Sequence, residues 1–410
     1  MKNQNAFIRE LIISLNLFAN AVLFQSNTLT LYMNVMIAIF IASLGFSIVR
    51  TNVIRSFLTN KVIVFFLVWF LLFWVFVELH YSIFPQYKVF SHLGWIRILM
   101  AVIVFVSVTS DLSVNDTFNV LAKSFTIVSV PLLLFLIVFS GGWEILTDQR
   151  FGDSEIGLNP NEIALHLLIS FFFTYNLSLS DKKWKLYAAI VSVVCSVFIL
   201  LTGCKRALIC MTFLFVFIYR YYNRGKTIKT SFFILTFFLV TYYLVFSVPV
   251  FYDIIGSRFE MFLYDIGIEV GSSQDYDSST ELRKQFVPIG LKMFGEKPLF
   301  GHGFAYFETH SGLNTIVNTF HTHNNYLEIL INYGVLGFIL YYRIFLKSII
   351  GLLKIKNKSP LVKATLTFLV LQLVFIEPTT VSYYSYIIFY MFLYFSFRLS
   401  KTYQYGERFI

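Results

Sequence analysis

The segment FHTHNNYLEILINYGVLG at residues 320–337 lies where a long polar stretch of a very apolar chain returns to a hydrophobic run. Read as a helix from Asn325, it places Asn325, Glu328 and Asn332 at positions i, i+3 and i+7, which form one polar stripe. An ionisable group inside a membrane helix is costly, so we expect this stripe to face protein or a wet cavity. His323 would then stand just outside the helix, where a solvated imidazole can exchange protons near neutral pH.

Composition identifies the broad class of protein. The chain is 57% hydrophobic and only 13% charged, which is typical of an integral membrane protein. The net charge is +10, and most of the charged residues lie in short loops between apolar runs, as the positive-inside rule requires. We therefore expect membrane lipids, and no nucleic acid, as partners. The three cysteines lie in or beside apolar runs without metal-ligand spacing, which argues against a disulfide framework.

The apolar runs predict an all-α, polytopic fold. About twelve of them are long enough to cross roughly 30 Å of hydrocarbon. They begin near Ala6, Thr28, Val62, Leu93, Leu121, Glu162, Leu186, Ala207, Ser231, Asn325, Ala364 and Val381. We predict a single polytopic domain over residues 1–410, with a large extracytoplasmic loop at 252–324 between spans 9 and 10. A loop of this length is usually functional. Glu377-Pro378, between the last two runs, is interpreted as a tight outer turn.

Lysine and arginine set the predicted orientation. With the N-terminus inside, the clusters near Arg50, Lys182, Arg224, Lys354 and Arg398 all lie on the cytoplasmic side. The reverse topology would place every one of these clusters outside. We therefore predict a multi-pass protein of the cytoplasmic (cell) membrane with both termini in the cytoplasm.

The cations predicted to lie outside are exceptions to the rule, which makes them informative. Lys205 and Arg206 are adjacent at the outer end of an apolar run, which favours an anion such as phosphate. The alternative is that they only extend to lipid headgroups. Arg283 by itself is equally consistent with a solvated helix face. Arg150 precedes an Asn-Pro-Asn that can initiate the next helix, and the alternative role of Asn161 is only that of a helix cap.

The histidines also carry more than one interpretation. His323 is either a general acid–base group or an interfacial residue that caps the following helix. His321 and His323 form a His-x-His pair, but no sure carboxylate or cysteine partner lies nearby in sequence, so we predict neither a metal nor another cofactor. Further along, Gly334 and Gly337 are expected to let another helix backbone come close.

These residues resemble the signature of the O-antigen ligase and Wzy-type polysaccharide polymerase superfamily. That signature is a His followed by Asn, Ser or Gln, nine residues, Gly, two residues and a small residue. His323-Asn324, the nine residues that follow, Gly334 and Gly337 match it in full. The resemblance covers roughly residues 150–342 in motif and the whole chain in topology.

Other motifs of the superfamily are also similar. The preceding loop has a Pro followed by Gly-x-Gly, as Pro298, Gly301 and Gly303. The Asn-Pro-Asn at 159–161 enters the sixth predicted span, and a Thr-Gly at 202–203 lies near the eighth. A large outer loop between the ninth and tenth spans is the layout of the family.

The resemblance implies roles for individual residues. Outer-face arginines of the family are thought to hold the pyrophosphate of a polyprenyl-linked donor. Arg283 matches the loop arginine that precedes the Pro and Gly-x-Gly. Lys205 stands in place of the second family arginine, and Arg206 is positioned to take over its role. His323 would be the catalytic base. The supporting residues would be Asn324, Glu328, Arg150 and Asn161.

The implied activity is metal-independent glycosyl transfer from a saccharide on undecaprenyl pyrophosphate. We predict a polymerase of repeat units for O-antigen, capsule or exopolysaccharide, with flippase and chain-length regulator proteins as further partners. The alternative is an O-antigen ligase that transfers polymer to a lipid A core. Two alternative interpretations involve no enzyme. A polysaccharide or lipid transporter would have charged residues distributed through several spans. A membrane scaffold would leave the His-Asn…Gly signature unexplained.

Overall fold

The structure is a computed structural model that describes most residues of the chain. These are residues 2–23, 29–81, 88–139, 160–223, 225, 227–257, 260, 278–313, 321–383 and 386–405. Within these ranges the secondary structure is helical and contains no strand. The prediction of an all-α fold is therefore confirmed for the described part of the chain.

The described residues contain fifteen α-helices of five or more residues, numbered in chain order. They are α1 (Lys2–Phe18), α2 (Leu29–Val49), α3 (Thr51–Thr59), α4 (Lys61–Tyr81), α5 (Lys88–Thr109), α6 (Val114–Phe139), α7 (Pro160–Ser180), α8 (Lys185–Leu201), α9 (Lys205–Tyr222), α10 (Thr227–Ser247), α11 (Ser278–Glu296), α12 (Tyr306–His310), α13 (Asn325–Leu353), α14 (Pro360–Leu371) and α15 (Ile387–Tyr405). Shorter turns continue several of them. They are Ala19–Leu23, Pro249–Phe251, Tyr252–Gly256, Gln372–Ile376 and Glu377–Thr379. Helix α7 begins at Pro160, as the Asn-Pro-Asn motif predicts, because proline suits the first turn of a helix.

Several helices have the length and composition of membrane spans. Among the described residues, five are long and apolar enough to cross a bilayer. They are Lys61–Leu79, Val114–Val138, Pro160–Ser180, Asn325–Leu353 and Pro360–Thr379. The chain is thus an integral membrane protein. The count of twelve spans, the outer loop at 252–324 and the orientation stay predictions.

The chain divides into two compact units. The first comprises Met1–Ser43, Asn115–Tyr276 and Asn357–Phe368. Helix α7 forms its core, because it is buried along most of its length and packs on α8 and α9. The hydroxyl of Ser192 on α8 donates to that of Thr174 on α7 at 2.9 Å. Hydroxyl pairs of this kind join neighbouring helices where water is excluded.

The second unit comprises Leu44–Val114, Asp277–Lys356 and Leu369–Ile410. Helix α13 is central to it and packs on α15, α11 and α4. The indole N–H of Trp69 on α4 donates to the carbonyl of Leu340 on α13 at 2.7 Å. The polar segment that precedes α13 belongs to this unit, so the geometry around His323 lies within one compact unit. The prediction of a single domain for the whole chain stays a prediction.

Helix α11 is joined to the start of α13 by an apolar cluster. Phe286 and Met293 of α11 pack with Leu327 and Ile331 of α13, and Phe307 of α12 completes the cluster. All five side chains are buried. Burying side chains of this size stabilises a contact by about 1.5–3 kcal/mol each. The cluster therefore fixes α11 and α12 against the N-terminal end of α13, where His323 lies.

Candidate functional site

A short turn at residues 321–324 presents His323 at the mouth of α13. The carboxylate of Glu328 accepts two hydrogen bonds at Oε2, from the Thr322 N–H at 3.2 Å and from the Thr322 hydroxyl at 2.8 Å. The hydroxyl in turn accepts from the Asn324 N–H at 3.2 Å. Thr322 and Glu328 are both buried. The residues on either side of His323 are therefore tied to one carboxylate on the first turn of α13.

His323 itself has a left-handed backbone conformation, with φ at 52°. Such a conformation is uncommon outside glycine and persists only where the surroundings enforce it. Its ring lies parallel to the ring of Phe286 on α11, with an interplanar angle of 13° and centroids 6.1 Å apart. The side chain is half-buried, so one part of the imidazole is fixed by protein and another is open to a substrate.

Asn324 is the N-cap of α13, so the alternative that His323 caps this helix is wrong. The side-chain oxygen of Asn324 accepts from the N–H of Leu327 at 3.1 Å. The cap places the positive end of the helix dipole beside His323. An anionic substrate group or a developing negative charge is favoured at such a helix terminus.

The predicted polar stripe of Asn325, Glu328 and Asn332 faces protein, which confirms that expectation. All three side chains are buried. The amide of Asn332 donates to Oε1 of Glu328 at 3.1 Å and to the hydroxyl of Tyr383 at 3.2 Å. The oxygen of Asn325 accepts from the N–H groups of Ser382 and Tyr383 at 3.0 and 3.2 Å. The stripe thus joins α13 to the segment before α15.

A second buried carboxylate, Glu377, was interpreted from sequence only as part of a turn. It does lie in a short 3₁₀ turn, Glu377–Thr379, at the end of a candidate span. Its oxygens accept from the hydroxyl of Tyr342 at 2.7 Å, from Gln372 at 3.2 Å and from the hydroxyl of Ser382 at 3.0 Å, and the amide of Asn325 also donates to it. A buried carboxylate with four donors is well satisfied and rigid.

Helix α13 is interrupted at Gly334, where φ is 63° and ψ is −168°. The N–H groups of Val335 and Leu336 donate out of the helix, to the carbonyls of Pro298 at 2.8 Å and Leu299 at 3.2 Å. A Cβ on Gly334 would lie 2.3 Å from the Leu299 carbonyl oxygen. The expectation that another helix approaches Gly334 is therefore wrong, because the neighbour is the loop backbone.

The Gly-x-Gly of the preceding loop makes the other half of this backbone contact between the loop and α13, called the loop–helix junction below. The N–H groups of His302 and Gly303 donate to the carbonyls of Ile331 and Asn332, both at 2.9 Å. A Cβ on Gly301 would lie 2.4 Å from the carbonyl carbon of Asn332. The two glycine motifs of the sequence are therefore two sides of one backbone contact, which satisfies groups that the helix interruption frees.

His321 belongs to a different set of contacts from His323. Its Nδ1 is in direct contact with the carboxylate of Glu308 on α12. One ligand-type atom each from Glu308, His321 and Glu328 lie within 4.8 Å of one another. The sequence suggested His321 and His323 as a possible metal-binding pair, whereas the structure places His321 beside two carboxylates. Glu308 was missed because it lies 13 residues earlier in a segment without periodicity.

The other residues predicted for the site do not all lie in the same compact unit as His323. Arg283 lies on α11, and its side chain is outside the described part; Arg150 lies wholly outside it. Asn161 is the second residue of α7 and is half-buried. Lys205 and Arg206 open α9 and are half-buried, directly after a tight turn at 202–204. These last three belong to the first unit, whereas Arg283 and the His323 turn belong to the second.

Comparison with known families agrees with the architecture of a helical membrane protein. Residues 190–342 match the O-antigen ligase family, and this range contains the His323 signature, the Gly-x-Gly loop and Lys205-Arg206. The match confirms, for this part of the chain, the resemblance to the O-antigen ligase and Wzy-type superfamily. It indicates an activity of the O-antigen ligase or polymerase type, on lipid-linked polysaccharide substrates. No curated protein is significantly similar to the chain.

Proposed function

We propose that this chain is a polymerase of undecaprenyl-pyrophosphate-linked oligosaccharide repeat units that acts on the outer face of the cytoplasmic membrane. Its product would be O-antigen, capsule or exopolysaccharide. The family match at residues 190–342 supports glycosyl transfer of this kind. The observation that carries the proposal is the turn at 321–324, in which the two neighbours of His323 are tied to Glu328 and its ring is stacked on Phe286.

The proposed reaction is a single displacement. His323 takes the proton of the acceptor hydroxyl, whose oxygen attacks the anomeric carbon of the donor sugar. The bond from that carbon to the pyrophosphate oxygen breaks, and undecaprenyl pyrophosphate leaves with the electron pair. Direct displacement inverts the anomeric configuration. A fixed base contributes to such a reaction because less orientational freedom is lost in the transition state.

The leaving pyrophosphate needs positive charge where negative charge develops. Arg283 precedes Phe286 by three residues on α11, so its Cα lies on the face of the helix that contacts His323. This position supports Arg283 as a contact of the pyrophosphate. Lys205 and Arg206 are proposed contacts of the same group, and guanidinium and ammonium groups can supply this charge without a metal ion.

The ligase alternative differs only in the acceptor. A ligase transfers finished polymer to a lipid A core, whereas a polymerase transfers to another lipid-linked repeat unit. The family match includes both activities. Flippase and chain-length regulator proteins are proposed partners of the polymerase, because a repeat unit must first reach the outer face and its chain must then end at a defined length.

The decisive experiment is a deletion strain complemented with variants of the protein. We expect the deletion and His323→Ala to leave single repeat units without long chains, with a loss of transfer of at least roughly 10² for His323→Ala. His310→Ala is the matched control, because His310 is an exposed histidine on α12. His321→Ala should reduce transfer much less than His323→Ala.

Two outcomes would contradict parts of the proposal. Long polymer at normal amounts in His323→Ala, with the protein inserted at normal levels, would remove the role of His323 as base. Full-length polymer stranded on undecaprenyl pyrophosphate in the deletion strain would identify a ligase instead.

The second cationic position can be tested by itself. If Lys205 takes the place of the family arginine, Lys205→Arg should be tolerated and Lys205→Ala should impair donor use. If Lys205→Ala has no effect while Arg206→Ala abolishes transfer, the role belongs to Arg206. An absence of effect from both alanine variants would assign the pair to lipid headgroups.

A further inference from the structure

We propose that Glu308, His321 and Glu328 form a binding site for a divalent cation, best suited to Zn²⁺, which ties α12 to the turn that carries His323. One carboxylate or imidazole atom from each residue lies within 4.8 Å of the others. One imidazole nitrogen and two carboxylate oxygens form a donor set that Zn²⁺ accepts readily, whereas Mg²⁺ and Ca²⁺ prefer oxygen ligands throughout.

The distances are compatible with a shared ion. Zn²⁺ binds nitrogen and oxygen at about 2.0–2.2 Å, so two ligands of a tetrahedral ion are about 3.4 Å apart. The three atoms are at most 4.8 Å apart, and small side-chain rotations can bring them to this separation. Glu308 and His321 are half-buried and can make such rotations, whereas Glu328 is buried and fixed.

Glu328 retains the capacity to bind an ion. Its Oε2 accepts both the N–H and the hydroxyl of Thr322, and this uses the two lone pairs of that oxygen. Its Oε1 accepts only from the amide of Asn332, so a lone pair on Oε1 is still available among the described contacts. Donors that orient a carboxylate in this way are typical around metal ligands.

Asn332 provides a second, independent observation. Its side chain is fully buried, and its amide nitrogen lies 3.1 Å from Oε1 of Glu328. The amide oxygen, Oδ1, is buried and has no hydrogen-bond partner among the described residues. Native proteins seldom leave such a buried atom unsatisfied, so the amide that orients Glu328 keeps an oxygen with unused acceptor capacity.

The charges of the cluster also favour a cation. Two carboxylates and one imidazole carry a net negative charge whichever form the imidazole adopts, provided that both carboxylates are ionised. Confining that charge around the buried Glu328 is costly unless a positive group compensates it. A divalent ion would neutralise both carboxylates and leave the imidazole neutral, which is the form that binds metals.

The ion would act on the geometry of the turn and not on the reacting atoms. Glu308 belongs to α12, His321 to the segment before α13, and Glu328 to the first turn of α13. A shared ion would therefore clip α12 to the first turn of α13 and to the residue two positions before His323. Through Glu328 and Thr322, the same clip would support the backbone of His323.

The test is metal binding by the full-length protein purified in detergent and stripped of metal with a chelator. We expect about one Zn²⁺ per chain by elemental analysis and titration calorimetry, weaker binding of Mn²⁺, and a rise in the melting temperature on adding Zn²⁺. Glu308→Gln and His321→Ala should each weaken Zn²⁺ binding by at least about tenfold, because even residues that only support ligands have effects of this size. His323→Ala is the matched control and should bind Zn²⁺ as the unmodified protein does.

Two results would overturn the inference. One is no saturable Zn²⁺ binding by the unmodified protein, which would leave a hydrogen-bonded His–Glu cluster only. The other is equal Zn²⁺ binding by His321→Ala and the unmodified protein. Neither result affects the proposed polymerase function, which is measured by transfer in His323→Ala. Conversely, transfer by His323→Ala at a normal rate would remove the base while leaving the metal site intact.

Discussion

The interruption of α13 makes Gly334→Ala the sharpest test of the site geometry. The φ and ψ of Gly334, 63° and −168°, lie in a region that is essentially limited to glycine and costs about 1–3 kcal/mol for other residues. The added Cβ would also lie 2.3 Å from the Leu299 carbonyl oxygen, so the loop must move. Overpacking of this kind costs about 1–3 kcal/mol more.

The clash at the loop–helix junction can be relieved only if the loop moves away from α13. Four backbone hydrogen bonds join residues 298–303 to residues 331–336. At about 0.5–1.5 kcal/mol each, their loss costs about 2–6 kcal/mol, which agrees with the strain that it would relieve. We therefore expect Gly334→Ala to destabilise the second unit by at least about 2 kcal/mol and to displace the loop from α13.

The assay is thermal unfolding in detergent, combined with polymer formation in the deletion strain. Gly334→Ala should lower the melting temperature by at least about 4 °C and reduce polymer strongly. Gly295→Ala is the matched control, because a Cβ there meets nothing within 4 Å and alanine is favoured in helices. An unchanged melting temperature for Gly334→Ala, with normal polymer, would refute the contact between the loop and the interrupted helix.

Four further outcomes are expected. Reporter fusions after Ser273 should show an outer location and fusions after Lys226 a cytoplasmic one; a cytoplasmic signal after Ser273 would overturn the mechanism. Arg283→Ala should weaken donor use more than Arg283→Lys, measured as the donor concentration needed for half-maximal transfer, and equal effects would argue against a bidentate contact. Thr322→Val should lower transfer about tenfold or more by releasing Glu328, whereas Thr322→Ser should retain it; equal rates for the two would exclude this positioning role. Burial lowers the pKa of His302 below its ordinary value of 6.5, so the unfolded chain binds the proton more tightly than the folded chain. The stability of the fold should therefore decrease as the pH falls below about 6.5. His302→Gln should reduce this pH dependence of the melting temperature, and an unchanged pH dependence would contradict the role of His302.

The sequence predicted the helical features that depend on near neighbours. Helix α13 begins at Asn325 and its polar stripe is buried, as the spacing of Asn325, Glu328 and Asn332 indicates, although its cap is Asn324 and not His323. Caps and stripes arise from residues within about four positions of one another, so they can be read directly from the order of residues. The same local signals identified His323 as a residue at the helix mouth, and the glycine spacing indicated the superfamily.

Contacts between distant residues required the tertiary structure. The pairing of Glu308 with His321 crosses a stretch without periodicity, and Asn325 contacts Glu377 over 52 residues. Each side chain alone has an ordinary explanation in the sequence, as a solvated acid or part of a turn.

Gly334 shows the limit most clearly. The sequence indicated that a backbone comes close to this glycine, because the residue has no side chain to prevent it. It could not tell whether that backbone was a helix or a loop, since the identity of the neighbour depends on how the chain returns at Gly334, 35 residues after Leu299 and 36 after Pro298. Local order therefore determined helix α13, its polar stripe and the candidate base, whereas the folded chain decided which carboxylates, carbonyls and rings surround that base.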